Sequence, residues 1–227
     1  MLTIALTGGI GSGKSIVCDY FITLAEQSDD VSSLHIIDAD SIARQLLSGS
    51  LQEAKHSKHL TPKQTALKNT HKLFGDDIFH PSGKLNRTVL RSLIFSSKTK
   101  KQQLEQILHP LIHREITQQL AEIKSSSGSN SINIIAIPLL FETSQNYPFD
   151  RILVIDTPIN TQIERSSKRD KCSTKLIKKI IESQVSRQIR LAHADDIIDN
   201  SGSLEQLERQ LVSLFQYYCS LLKQSKT

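Results

Sequence analysis

The stretch Gly8-Gly-Ile-Gly-Ser-Gly-Lys-Ser15 constrains this chain more than any other. It satisfies G-x-x-x-x-G-K-[ST], with an apolar run at residues 2–6 before it and an amphipathic segment at residues 15–26 after it. Glycines permit backbone conformations that point successive N–H groups into one concavity. The helix start behind them adds a dipole that favours anions. Lys14 is placed to neutralise β- and γ-phosphates, and the Ser15 hydroxyl to ligate Mg²⁺. Gly9, Ile10, Gly11, Ser12, Gly13 and Ile16 complete the set expected around a bound triphosphate. The bland alternative is a chance match in a glycine-rich turn, which the strand before and helix after disfavour. The dinucleotide fingerprint G-x-G-x-x-G fails, because Lys14 stands three residues after Gly11 where Gly or Ala is required.

Strand-like and helix-like patterns alternate along the chain. Apolar runs at residues 2–6, 34–37, 132–140, 151–156 and 196–199 read as strands. Continuous apolar strands separated by helical stretches predict an α/β fold, with a parallel sheet covered on both faces. Residues 41–124 show no clear strand. Leu90, Leu93, Ile94, Leu104, Ile107, Leu108 and Ile112 recur there at helical spacing, which predicts a helical insertion. Residues 51–69 are polar and read as an exposed loop or weak helix. Residues 125–131 read as a flexible connection. Leu204, Leu207, Leu211, Leu214, Phe215 and Tyr218 predict a final amphipathic helix on the sheet.

The net charge is +5, and its location is informative. Residues 164–190 hold nine Lys/Arg and three Asp/Glu, a local +6, leaving −1 for the rest. A concentrated basic segment suits a compact polyanion such as a nucleotide's phosphates. Without aromatics to stack bases in that segment, nucleic acid is not an expected partner. The three scattered cysteines, Cys18, Cys172 and Cys219, fit reduced thiols in a cytoplasmic protein. His56, His59 and His71 lack partners at metal-site spacing. No apolar run approaches the roughly 18 residues of a membrane span, and residues 1–6 read as a buried strand, not a secretory signal.

Asp38 and Asp40 follow the second strand, at the sheet end where open α/β folds bind ligands. Asp40 can accept a proton from an attacking hydroxyl, or cap a helix starting near Ser41. Spacing alone weighs these evenly, and both can hold together. Arg165 and Arg169 are four apart on one helix face, and Arg187 and Arg190 three apart on a later helix. Guanidinium matches phosphate bidentately, so these four are candidates to close over transferring phosphates. Lys175, Lys178 and Lys179 read as a solvated face.

Further stretches stand beside residues 6–15 of the glycine loop: Ile37-Asp-Ala-Asp-Ser-Ile-Ala-Arg44, Gly83-Lys-Leu-Asn-Arg87, Ile107-Leu-His-Pro-Leu-Ile112, Pro138-Leu-Leu-Phe-Glu142, Glu164-Arg-Ser-Ser-Lys-Arg-Asp170, Gln184-Val-Ser-Arg-Gln-Ile-Arg-Leu191 and Ala194-Asp-Asp-Ile-Ile-Asp-Asn-Ser-Gly202. In them the chain resembles the dephospho-CoA kinase family. These stretches span almost the whole chain in the family's order. The resemblance implies a P-loop NTPase fold of three α/β/α layers around a parallel sheet. It implies a core of residues 1–40, 132–162 and 191–227, a helical CoA-binding region over about 41–124, and a lid over about 163–190. It implies phosphorylation of the ribose 3′-hydroxyl of dephospho-CoA by ATP with Mg²⁺, in a monomer or weak homo-oligomer. By position, Asp40 would be the base, and Arg87, His109 and Glu142 would line or support the acceptor site. Arg165 and Arg169 would belong to the lid, Arg190 would approach the phosphates, and Asn200 and Gly202 would lie near adenine. Two departures stand out: Ile16 replaces the family's usual Thr, and residues 51–69 form a longer segment than usual.

Two rival readings share the phosphate-binding features. One is a kinase for another small hydroxyl acceptor, which only the helical insertion distinguishes. The other is a nucleotide switch or nucleic-acid-stimulated ATPase, against which the localised charge and missing aromatics count.

Overall fold

In the computed structural model, which describes residues 1–52, 60–127, 130–143 and 146–224, β1 (Leu2–Gly8) is buried along its whole length. It lies in the middle of a five-stranded parallel sheet of order β2-β3-β1-β4-β5. The others are β2 (Ser33–Asp38), β3 (Ser131–Ala136), β4 (Arg151–Asp156) and β5 (Asp196–Asp199). Ile4 pairs in register with Ile134 on one side and Arg151 on the other. All strands run parallel, so their carboxyl ends gather at one edge of the sheet, where the glycine loop leaves β1. This is the P-loop α/β fold with a central parallel sheet that the resemblance implies.

Alternation along β1 and β3 sends Leu2, Ile4, Leu6, Ile132 and Ile134 into one core. Val17 and Phe21 of α1 (Lys14–Glu26) fill it, together with Leu211, Phe215 and Tyr218 of the C-terminal helix (Leu204–Gln224). Phe21 stacks on Tyr218 with centroids 6.2 Å apart. Each such buried side chain contributes roughly 1.5–3 kcal/mol of transfer free energy. That anchors α1, and with it the far end of the glycine loop.

The chain divides into two units, Met1–Asp38 with Gln118–Thr227, and Ala39–Thr117. The second begins with α2 (Ala39–Leu46) and α3 (Pro62–Phe74). The latter falls partly in the segment expected to be a loop or weak helix. Thr61 explains the helix: its hydroxyl accepts the Gln64 N–H, Gln64 returns the bond to the Thr61 N–H, and Pro62 stands at the first turn. Residues 53–59, including His56 and His59, lie outside the described residues. His71 bonds Asp76 at 2.7 Å, and no group of three potential metal ligands occurs among the described residues. A single 3₁₀ turn (Asp76–Ile78) leads to α4 (Arg87–Ser96), capped by the Asn86 side chain.

Two expected boundaries move. α5 (Lys98–Ser127) runs into the serines expected to be a flexible connection, where Ser125 and Ser126 bond back to the Glu122 carbonyl. Its buried stripe of Leu104, Leu108, Ile112, Ile116 and Leu120 recurs every four residues and carries the helix past Pro110. β3 ends at Ala136 rather than continuing to residue 140, because Pro138 has no N–H to donate to the ladder. Between β4 and β5 come α6 (Ile159–Asp170), α7 (Thr174–Glu182) and α8 (Arg187–Ala192), and the C-terminal helix is α9. Among the described residues no helix is long and apolar enough to cross a membrane.

Candidate functional site

The loop between β1 and α1 is shaped by what lies beneath it. Gly13 takes φ 95°, and a Cβ there would come within 2.2 Å of the Asn200 amide nitrogen. Gly11 takes φ 68°, and its Cβ would meet the Ser166 hydroxyl at 2.5 Å. Both positions exclude a side chain twice over, by backbone region and by space. Asn200 Nδ2 donates to the Ser12 carbonyl at 2.8 Å, and the buried Thr157 hydroxyl donates to it at 3.3 Å. Lys14 Nζ donates to the carbonyls of Gly8 at 2.7 Å and Gly9 at 3.1 Å. The protein's own donors thus take up the loop carbonyls. The N–H groups of the first turn of α1 have no intrahelical acceptor by construction, which makes a helix start an anion site.

Beside the loop lies a cavity of about 510 Å³. Gly11, Ser12, Gly13, Lys14, Ser15 and Ile16 line one side of it, and Arg165 and Arg169 of α6 another. Asn200 and Gly202 line it where β5 ends, with Leu204 and Leu207 of α9 beside them. The volume suits a nucleotide. Ten of the residues singled out in the sequence therefore meet in one place. Ser15 and Ile16 are both exposed on the first turn of α1, so Ile16 adds an apolar side chain to the wall without displacing the Ser15 hydroxyl.

The four arginines hold different stations. Arg165 Nη1 donates to the Asn200 carbonyl at 3.1 Å, which ties α6 to the end of β5. Arg169 forks onto the neighbouring Asp170, with two bonds of 2.8 Å. Arg187 forks onto the largely buried Asp156 at the end of β4, at 2.7 and 2.5 Å. Arg190 is buried, donates to the Val185 carbonyl at 2.5 Å, and is not among the cavity-lining residues. Burial lowers its pKa, an effect that the nearby Glu142 and Asp156 oppose. Glu142 follows β3 and accepts the Val185 N–H at 2.8 Å. Gly9 and Ile10 also lie off the cavity wall. Gly9 packs on Gln162, and the Ile10 N–H donates to Gln184 Oε1 at 3.2 Å.

Several of these partners escape sequence reasoning. Thr157 and Gln162 are almost fully buried, and Gln162 Nε2 donates to the Thr157 carbonyl at 2.7 Å, forming a floor under the loop. The one signal in the sequence was for Thr157, which follows the fourth strand on the edge where ligands bind.

In the second unit, Asp40 is exposed in the first turn of α2, which begins at Ala39. It is therefore inside the helix, not the N-cap of a helix starting near Ser41. Arg87 opens α4 and donates to the Arg44 carbonyl at 3.0 Å. Both arginines line a groove of about 200 Å³ with Leu47, Leu85 and Leu90. His109 is half-buried on α5, and burial holds its pKa below the usual imidazole value.

The chain is similar to known proteins. A family model described as dephospho-CoA kinase matches residues 2–206. A dephospho-CoA kinase from Coxiella burnetii is 40% identical over 228 residues, covering 100% of both chains. One from Colwellia psychrerythraea is 40% identical over 223 residues, covering 98% of each. Among solved structures, a Thermus thermophilus protein superposes with TM-score 0.69 at 24% identity, over 95% of this chain and 97% of its own. A dephospho-CoA kinase from Campylobacter jejuni gives TM-score 0.62 at 24% identity, over 96% and 97%. Those two structures share the fold.

Proposed function

The chain belongs to the dephospho-CoA kinase family, and on that premise we propose that it transfers the γ-phosphoryl group of ATP to the ribose 3′-hydroxyl of dephospho-CoA, giving coenzyme A and ADP. The observation that carries the ATP side is the convergence of loop, Lys14, Arg165, Arg169 and Asn200 on one cavity.

Phosphoryl transfer asks little covalent chemistry of a protein, so positioning and charge stabilisation carry the catalysis. The loop and the first turn of α1 hold the β- and γ-phosphates. Lys14 neutralises charge on their oxygens. Arg165 and Arg169, on one face of α6, stabilise the charge that spreads over the transferring group. Asn200 and Gly202 flank the adenine side. The site fits Mg²⁺ by donor chemistry, since Ser15 presents a hard hydroxyl oxygen beside Lys14 on the exposed first turn of α1. When bound there with ATP, Mg²⁺ supplies further neutralisation of phosphate charge.

Asp40 is the base. Its exposed carboxylate orients the 3′-hydroxyl and accepts its proton as the new P–O bond forms. Arg87 and His109 support the acceptor. Burial lowers the pKa of His109, against the opposing charge of Glu105.

The test is ADP release by purified protein with ATP and Mg²⁺, with and without dephospho-CoA. Release that depends on dephospho-CoA, and is lost in Lys14→Ala, supports the reading. Release that ignores dephospho-CoA contradicts it.

A further inference from the structure

Residues 183–186 join α7 to α8. Polar side chains hold this link from several directions. Gln184 Oε1 accepts the Ile10 N–H of the glycine loop, 174 positions away in sequence. Glu142 Oε1 accepts the Val185 N–H, and the Val185 carbonyl accepts from Arg190 Nη1. Just beyond, Arg187 forks onto Asp156. Both polar groups of the Val185 backbone are therefore bonded to ionisable side chains, in a place where a surface connection commonly uses water or a short turn. Bonds of this charge-assisted kind are the stronger ones.

The start of α7 is set locally: the Ser173 hydroxyl accepts the Leu176 N–H at 3.4 Å. α7 thus runs from a local cap to a junction clamped by Glu142 and Arg190. The clamped end reaches the glycine loop through Gln184.

We propose that Gln184 is a positioning residue for phosphoryl transfer: it braces the first half of the glycine loop at Ile10, and Glu142 and Arg190 fix the brace by clamping the Val185 peptide. The contacts divide the loop in two. Asn200 and Thr157 hold its second half at Ser12, beside α1 and Lys14. Gln184 holds the first half at Ile10. Ground-state ATP binding draws mainly on the second half and on the Asn200 side. A slack first half misplaces the loop rim relative to the reacting phosphoryl group, and displacements of about 1 Å cost up to a hundredfold in rate. The proposal rests on the kinase reading above.

The experiment compares steady-state kinetics of Gln184→Ala, Glu142→Ala, Glu142→Gln and the double variant Gln184→Ala/Glu142→Ala with wild type, alongside thermal unfolding. Gln184→Ala is expected to lower kcat about tenfold while KM for ATP moves less than about twofold. Glu142→Ala should do the same. Glu142→Gln keeps an oxygen that can accept the Val185 N–H, and should recover most of kcat. The double variant should lose little more than either single one, because the residues act as a unit. A kcat within about twofold of wild type in Gln184→Ala overturns the proposal, as does a loss that follows a lowered melting temperature and is not recovered by Glu142→Gln. If wild type itself leaves dephospho-CoA unphosphorylated, the functional reading fails instead.

Discussion

The glycine loop and the helices of Ala39–Thr117 hold their functional residues by opposite means. The loop is fixed by distant parts of its own unit. Asn200 and Thr157 grip Ser12, and Gln162 and Ser166 press on Gly9 and Gly11. In the second unit local caps set the starts of helices: Asn86 caps α4, which carries Arg87, and Thr61 with Gln64 starts α3. Asp40 and Arg87 lie in the first turns of their helices. The contrast teaches that the phosphate side tolerates little change in shape, whereas the acceptor side depends on which side chains its helices present.

Four substitutions break or sharpen this contrast. Lys14→Ala should have the largest effect, a loss of activity of about a thousandfold or more, because the cation that neutralises the phosphates is gone. Turnover near wild type would undo the assignment of the loop. Asp40→Asn should lower kcat by about 10²- to 10⁴-fold while ATP affinity, read by calorimetry, stays within about twofold. A matching loss of ATP affinity would move Asp40 from the acceptor to the nucleotide. Gly13→Ala should destabilise the fold by about 2–4 kcal/mol in urea unfolding, since the backbone is left-handed and the new methyl group meets the Asn200 amide. An unchanged midpoint would mean that the loop relaxes freely. Thr61→Ala should be mildest, about 1 kcal/mol of stability with kcat unchanged, because it removes one helix cap. A large kcat change there would show that the two sides are not built so differently.

Which parts were legible follows from the same contrast. Residues 8–15 form a contiguous motif between a strand and a helix, so a short window of sequence was enough to read the glycine loop. The positions of the five strands along the chain and the fate of the lysines at 175, 178 and 179, which are exposed, were legible from periodicity. The capping box at Thr61 and Gln64 stood in the sequence too, yet the polar residues around it suggested an exposed loop or weak helix. The roles of Gln184, Asp156 and Gln162 were not legible. Each depends on a partner that only the assembled sheet brings near, such as Ile10 for Gln184. Arg190 shows the same limit: its spacing from Arg187 suggested a phosphate clamp, but its burial turns it onto the Val185 carbonyl.

The central claim joins the loop cavity to one acceptor, and labelled ATP tests that union most directly. Purified protein is incubated with γ-labelled ATP, Mg²⁺ and either dephospho-CoA or a panel of nucleoside monophosphates, and the product is mapped. Label on the ribose 3′-oxygen of dephospho-CoA, with none on the nucleoside monophosphates, is the predicted result. Label on a nucleoside monophosphate, or phosphate released to water with no labelled acceptor, would contradict it.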